Sequence, residues 1–272
     1  MKTLPVGLQL YTVRTEMEKS VPETLAAVKA MGYDYVEPAG LFGYSSEDFK
    51  AELNKAGLKA VCAHDPFLTL KGDTEAVVDG YKLIGCECIA VPYLGEGERP
   101  CDPDFDKVLA DIDKIGAVCE SKGLILIYHN HDFEFVKMPD GTYGLDYMYA
   151  TVPANHLQTE LDTCWVNIGG EVPAEYIRKY AGRCPVVHLK DFIGGKSDSM
   201  YELIGIEKKA DTKQEEFKFR PVGSGKQDFP AILEAAVESG ARYVIVEQDQ
   251  SYETPCLEAA KMSTESLKTL GW

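Results

Sequence analysis

Short apolar runs alternate with longer amphipathic stretches along almost the whole chain. The runs are GLQLYTV from Gly7, YVEPAG from Tyr35, KAVCAHDPF from Lys59, CIAVPYL from Cys88, LILIYHNH from Leu124, LQTELD from Leu157, PVVHLKDF from Pro185 and YVIVEQD from Tyr243. Unbroken apolar runs of this length predict strands buried on both faces, as in a parallel sheet. Between them the apolar positions recur at helical spacing. Val21, Leu25, Val28 and Met31 share one face, and Gly32 stops that helix. Ser45 and Ser46 are N-cap candidates for a helix ending at Gly57. DTEAVVDGYKLIGC, CDPDFDKVLADIDKIGAVCESKG, GLDYMYATVP, PAEYIRKYAGR, FPAILEAAVESGAR and CLEAAKMSTESLKTLGW read as further helices. The longest opens on aspartates and closes on Lys122-Gly123, which complements the helix macrodipole.

Eight strand–helix units in one chain predict an α/β fold of the (β/α)8 TIM-barrel type. An open doubly wound sheet would usually carry a Gly-rich first turn, and TVRTEME has none. A single domain is expected over residues 1–272, with one irregular unit. Residues 192–220, containing GGKSDSM and IEKKADTKQEEFKFR, are expected to form an inserted hairpin arm or solvated loop after strand seven, overhanging the active face.

The chain has 272 residues, 45% of them hydrophobic and 26% charged, which suits a soluble protein with a large core. Its net charge of −16 argues against nucleic acid, whose recognition needs clustered Lys and Arg. No run approaches the ~18 apolar residues of a membrane span, and the N-terminus lacks a secretion signal, so no membrane partner and a cytoplasmic location are expected. The eight cysteines form no CxxC pair and are expected to be mostly buried free thiols.

In a parallel barrel, chemistry sits at the carboxyl ends of the strands. Those ends offer Gln9 and Tyr11, Glu37, His64 and Asp65, Tyr93, His129 and His131 with Glu134 beyond, Asp162, His188 with Lys190, and Glu247 with Asp249. The last four strands would deliver His129, Asp162, His188 and Glu247 to one point. Two imidazoles and two carboxylates suit one divalent metal ion, Mn, Fe, Co or Zn, better than Ca or Mg. Such an ion would polarise a sugar carbonyl and its neighbouring hydroxyl and acidify the α-proton. Lys190, two residues after His188, points the same way and could steady an enediolate oxygen or hold a carboxylate near the metal. Each residue also has a plainer reading: a hydrogen-bonded rim histidine, Asp162 as a cap for the loop after its strand, a Lys190–Asp191 ion pair. GSGK at Gly223 to Lys226 lacks the spacing of a nucleotide-binding loop but could form a local anion nest.

The segments GLQLYTVR, YHNHDFEF, ELDTCW, VHLKDF, PVGSGKQDF and VEQD together resemble the xylose isomerase-like TIM-barrel superfamily, in particular its sugar phosphate isomerase/epimerase group. The resemblance implies a metal at the barrel mouth held by Glu, Asp, His and Glu from strands five to eight. Asp162, His188 and Glu247 match that pattern, while the strand-five glutamate position holds His129. In the ketose epimerases of this group two metal-bound glutamates act on opposite sides of the substrate carbon, so one of the pair is replaced here. The resemblance implies a metal-dependent isomerase or epimerase that abstracts the α-proton of a small sugar or keto-sugar. His131 or Glu134 would be the base, Glu247 would hold the metal and return the proton, Lys190 would steady the enediolate, and Tyr11, Glu37 and His64 would bind hydroxyls. Two alternatives stand beside it. One is a lyase sharing the same first half-reaction, such as a dehydratase of an inosose or an eliminating 3-keto-glycoside enzyme. The other is a non-catalytic sugar-binding barrel. The scarcity of basic residues at the strand ends favours a neutral sugar over a phosphate, and homo-oligomerisation is left open. The abasic-DNA endonucleases of the superfamily need more ligands and a basic face than this acidic chain with five histidines supplies.

Overall fold

A computed structural model describes residues 3–196 and 217–272. Ten strands follow in chain order: β1 (Val6–Gln9), β2 (Tyr35–Glu37), β3 (Lys59–Ala60), β4 (Cys88–Val91), β5 (Ile125–His129), β6 (Gln158–Asp162), β7 (Val186–Leu189), β8 (Asp191–Ile193), β9 (Lys218–Arg220) and β10 (Tyr243–Val246). Eight of them form one parallel sheet in the order β3-β2-β1-β10-β7-β6-β5-β4. The two ends of that order meet. Ala90 N donates to Ala63 O (2.7 Å) and Asp65 N to Ala90 O (3.2 Å), so the chain just past β3 closes the ring against β4. The expected (β/α)8 barrel is what forms.

Helices cover the outside, and their ends follow local chemistry. Ser45, not Ser46, caps Ser46–Ala56 by accepting Asp48 N (3.1 Å), and Gly57 closes the helix in the left-handed region at φ 73°. Phe105–Lys122 buries Val108, Leu109, Ile112, Ile115 and Cys119 along one face. Its Gly116 lies so close to residue 156 that a Cβ there would come within 2.0 Å of His156 O.

Strand parity divides the barrel interior into layers. At the amino end the filling is apolar, with Val61, Cys62, Cys88, Ala90, Ile127, Val186 and Ile245 packed together. Gly7 leaves room for this layer, since a Cβ there would meet Ile245 Cδ1 at 2.6 Å. Towards the carboxyl end the same faces carry Glu37, Glu160, His188, Asp162 and Lys190, each almost wholly buried.

Two local features differ from the sequence expectation. KAVCAHDPF does not remain a strand: β3 is two residues long, and Phe67–Gly72 is a helix. Thr163–Ile168 is a short helix directly after β6. The base of the expected arm takes the hairpin form rather than the solvated loop: β8 pairs antiparallel with β9 and buries Phe192, Phe217 and Phe219 against Trp165. Residues 197–216 of that arm lie outside the described residues. Among the described residues no helix is long and apolar enough to cross a membrane. Six of the eight free cysteines are buried; Cys101 is exposed and Cys256 intermediate.

Candidate metal centre and substrate cavity

Alternate residues of four neighbouring strands point into the barrel mouth. β5 delivers His129, β6 delivers Glu160 and Asp162, β7 delivers His188 with Lys190 beyond it, and Glu247 and Asp249 follow β10. Glu37 ends β2, and His64 bridges both Ala39 and Ala90 just past β3.

These groups form two tiers. In the upper tier the Lys190 ammonium is buried among three carboxylates, 2.8 Å from Asp162 Oδ2, 2.8 Å from Glu247 Oε2 and 2.9 Å from Asp249 Oδ2. The lower tier joins His64 to Glu160 Oε2 (2.6 Å) and Glu37 Oε1 (3.2 Å). Two imidazoles span the tiers. His188 has Nδ1 2.9 Å from Glu247 and Nε2 2.8 Å from Glu37. His129 has Nδ1 3.2 Å from Glu160, while its Nε2 faces Asp162 at 3.6 Å and Glu247 at 3.9 Å.

The electrostatics express a surplus of buried negative charge. Burial alone would lower the pKa of His64, but Glu160 and Glu37 raise it to about 10. His188 is likewise raised against its burial by Glu160, Glu37 and Glu247. His129 is pushed down by burial and by the neighbouring His188, so it stays neutral. Glu247 is buried, yet Lys190 and His188 hold it ionised. This cluster calls for cations.

The donor set fits a metal. One ligand atom each from His129, Asp162, His188 and Glu247 lie within 4.8 Å of one another. That is the spread of a site able to contract around an ion with bonds of about 2.0–2.2 Å. Asp162 serves twice: Oδ1 accepts Trp165 N (3.0 Å) and caps the short helix, while Oδ2 faces Lys190. The backbone N–H of Asp162 is in turn fixed by Asn130 Oδ1 (3.0 Å).

Above this centre lies a cavity of about 360 Å³ whose lining includes Tyr11, His64, Tyr93, His129, His131, Lys190, Glu247 and Asp249. Arg14 backs it from one side, stacking over the Tyr11 ring at 3.9 Å and donating to Asp249 O at 2.7 Å. His131 packs its ring face on Phe133 and meets Tyr93 edge-on. Its burial pushes its pKa well down.

Of the residues given a site role from the sequence, the cavity or its floor brings together His129, His131, Asp162, His188, Lys190, Glu247, Tyr11 and His64. Two lie elsewhere. Glu37 is beneath the floor, bonded to His188 and His64 and fully buried. Glu134 does not reach back: it sits in the turn Phe133–Phe135, accepting Tyr128 OH (2.5 Å) and His131 N (2.8 Å). His156 pairs with Asp113 (2.6 Å) away from the site. Glu160 is the member a search of strand ends leaves out. It stands two residues before Asp162 and therefore on the same inward face, which is the signal that finds it. The GSGK turn does form an anion nest, and the chain fills it itself. The Asp191 carboxylate accepts the N–H groups of Gly223 (3.0 Å), Gly225 (2.7 Å) and Gln227 (3.2 Å).

A family profile described as xylose isomerase-like TIM barrel matches residues 25–270. Inosose dehydratase of Clostridium beijerinckii is 29% identical over 205 residues, 73% of this chain and 60% of that protein. Inosose dehydratase of Geobacillus kaustophilus is 22% identical over 286 residues, 91% of this chain and 86% of that protein. The chain thus spans about 60% of the length of the Clostridium relative. Among solved structures, a sugar phosphate isomerase/epimerase from Parabacteroides distasonis superposes with a TM-score of 0.78 at 22% identity, over 98% of this chain and 94% of that one.

Proposed function

This chain belongs to the xylose isomerase-like TIM-barrel family, and on that premise we propose that it is a divalent-metal-dependent lyase that removes water from a neutral keto-polyol of the inosose class. The observation that carries this reading is the uneven placement of acid/base groups around the cavity. Both lining carboxylates, Glu247 and Asp249, come from the end of β10, whereas β5, three places away around the ring, presents the imidazoles of His129 and His131. Epimerisation needs proton exchange on both faces of one carbon. Loss of water needs one face only, since a carboxylate that takes the α-proton can hand it to a hydroxyl leaving on the same side.

His129, Asp162, His188 and Glu247 would hold the ion, which when bound supplies Lewis-acid polarisation of the substrate carbonyl. Asp249 is the proton carrier. It accepts the α-proton as the C–H bond breaks, the enolate expels the β-oxygen, and the same proton returns to that oxygen so that water leaves and a C=C bond remains. The Lys190 ammonium, fixed by three carboxylates, opposes the charge that develops on the enolate. Tyr11 and His131 line the cavity after strands four places apart around the ring, β1 and β5, and present polar atoms for substrate hydroxyls. A neutral substrate is favoured because Lys190 already meets three carboxylates and the Gly223–Gln227 loop, built for an anion, holds Asp191. The inosose dehydratase relatives favour the same outcome.

The isomerase/epimerase reading shares the first proton transfer, and one observation speaks for it: His131 lines the same cavity and could deliver a proton to the second face. Incubating metal-loaded protein with inososes and keto-sugars in deuterated water separates the two. Product lighter by one water supports the lyase. Unchanged mass with deuterium at the α-carbon supports the epimerase. Neither product would sink both readings.

A further inference from the structure

The lower tier is more than a support for the mouth. His64, His129, Glu160 and His188 also bring one ligand atom each within 4.8 Å of one another, and all four are buried. The separations resemble a coordination shell closed slightly inward. An ion with bonds of about 2.0–2.1 Å sets tetrahedral donors about 3.3 Å apart. His188 Nε2 lies 3.3 Å from Glu160 Oε1, and His129 Nδ1 lies 3.2 Å from Glu160 Oε2. His64 Nε2 is nearer, 2.6 Å from Glu160 Oε2.

Hydrogen bonds do not satisfy this tier. Glu160 Oε1 and Glu37 Oε1 are buried without a hydrogen-bond partner among the described residues. The reason is geometric. His64 Nε2 is aimed at Glu160 Oε2, and His188 Nε2 at Glu37 Oε2, so neither serves the second oxygen of the other glutamate. One N–H serves one acceptor well, whereas a cation serves every oxygen around it. Charge points the same way. Asp162, Glu247 and Asp249 surround the Lys190 ammonium, whereas the close contacts of Glu37 and Glu160 are imidazole nitrogens. A divalent ion in the lower tier would give this second pair of buried carboxylates a full counter-charge.

We propose that the barrel binds a second divalent cation one tier below the mouth, held by His64, Glu160 and the inner nitrogens of His129 and His188, with Glu37 beside it. The two ions share the rings as imidazolate bridges, each ring releasing its remaining N–H proton to solvent as the second ion binds: His188 turns Nδ1 to the mouth and Nε2 to the lower tier, and His129 turns Nε2 to the mouth and Nδ1 to the lower tier. Three nitrogens and one carboxylate select Zn, Co or Fe over Mg or Ca. All four ligands of the lower site are buried side chains, which suits a structural ion, while the mouth opens to the cavity and keeps a face for substrate.

The test is metal content after zinc reconstitution and desalting, for the wild type, Glu160→Gln, His64→Asn and Asp162→Asn, with circular dichroism to confirm folding. The expected result is about two equivalents in the wild type and about one in each variant. Zinc-edge anomalous maps should then show two peaks about 6 Å apart across a shared ring in the wild type. They should show only the mouth peak in Glu160→Gln and only the lower peak in Asp162→Asn. One equivalent in the wild type, retained by Glu160→Gln and His64→Asn but lost in Asp162→Asn, overturns the lower site and leaves the mouth ion standing. No bound zinc in the wild type overturns both ions.

Discussion

The carboxylate of Asp191 accepts the backbone N–H of Gly225 at 2.7 Å, and so completes an anion nest with no outside anion. Gly225 makes the approach feasible, because a Cβ there would lie 2.3 Å from Asp191 Oδ1. Hydrogen bonds to a charged group are each worth about 1.5–3 kcal/mol. Asp191→Ala is therefore expected to destabilise the protein by roughly 2–4 kcal/mol, and Gly225→Ala by a comparable amount through the clash. Urea denaturation of both variants measures this. Millimolar inorganic phosphate should leave the wild-type midpoint unchanged, and a clear stabilisation by phosphate would show that the site takes phosphorylated ligands.

Glu134 offers a pH-dependent prediction. Burial raises its pKa from 4.5 to about 8, against the hydrogen bonds from Tyr128 and the backbone. The unfolded chain releases this proton near pH 4.5 and the folded chain near pH 8. Between those values the folded state binds more protons, so the stabilisation that Glu134 contributes is complete at low pH and is lost as pH rises through about 8. Glu134→Gln keeps an uncharged group in place and should flatten that part of the Tm-versus-pH curve. An unchanged slope in the variant would assign the dependence to other groups.

The position of Glu134 also shows where the sequence stops being legible. Eight apolar runs at regular spacing identify a barrel because each unit must bury a strand on both faces. The same periodicity assigns His129, Asp162, His188 and Glu247 to one face of their strands, and the donor atoms do converge. Beyond a strand end the period-two rule lapses. Glu134 lies in a 3-10 turn after β5, and that turn carries its carboxyl to Tyr128 on the outward face of the strand. Phe217 and Phe219 stand among charged residues, a pattern that leaves hairpin arm and solvated loop equally open, and it is pairing with β8, invisible to local pattern, that buries them. Glu160 is readable by parity alone, two residues before Asp162.

Lys190 is the hinge of the upper tier. Its ammonium touches Asp162, Glu247 and Asp249, all within 2.9 Å. Lys190→Met keeps the stem and removes the charge, leaving three buried carboxylates facing one another. Breaking buried pairing of this kind costs about 3–5 kcal/mol, and metal ions at the mouth should recover part of that loss. Lys190→Arg is not expected to rescue it, because a planar fork cannot meet three carboxylates that converge on one point. Thermal melts of both variants with and without added zinc provide the measurement. Wild-type stability in Lys190→Met would show that the three carboxylates are relieved by some other cation.

Asp249 and His131 separate the two chemical outcomes, since both line the cavity but follow strands β10 and β5, three places apart around the ring. If one carboxyl removes the α-proton and protonates the departing hydroxyl, Asp249→Asn should lower kcat by about 10²–10⁴, the usual worth of a positioned acid/base. Exchange of the α-proton with deuterated solvent should fall by the same factor, because both events pass through one group. His131→Asn would then change mainly KM, by losing a contact to a substrate hydroxyl. An epimerase predicts a different split. Its second-face group would be His131, so His131→Asn would stop formation of the epimer while Asp249-dependent exchange on the first face continued. Exchange and product formation measured together on both variants therefore read out the number of working faces. Exchange that survives both substitutions would move the base to Glu247.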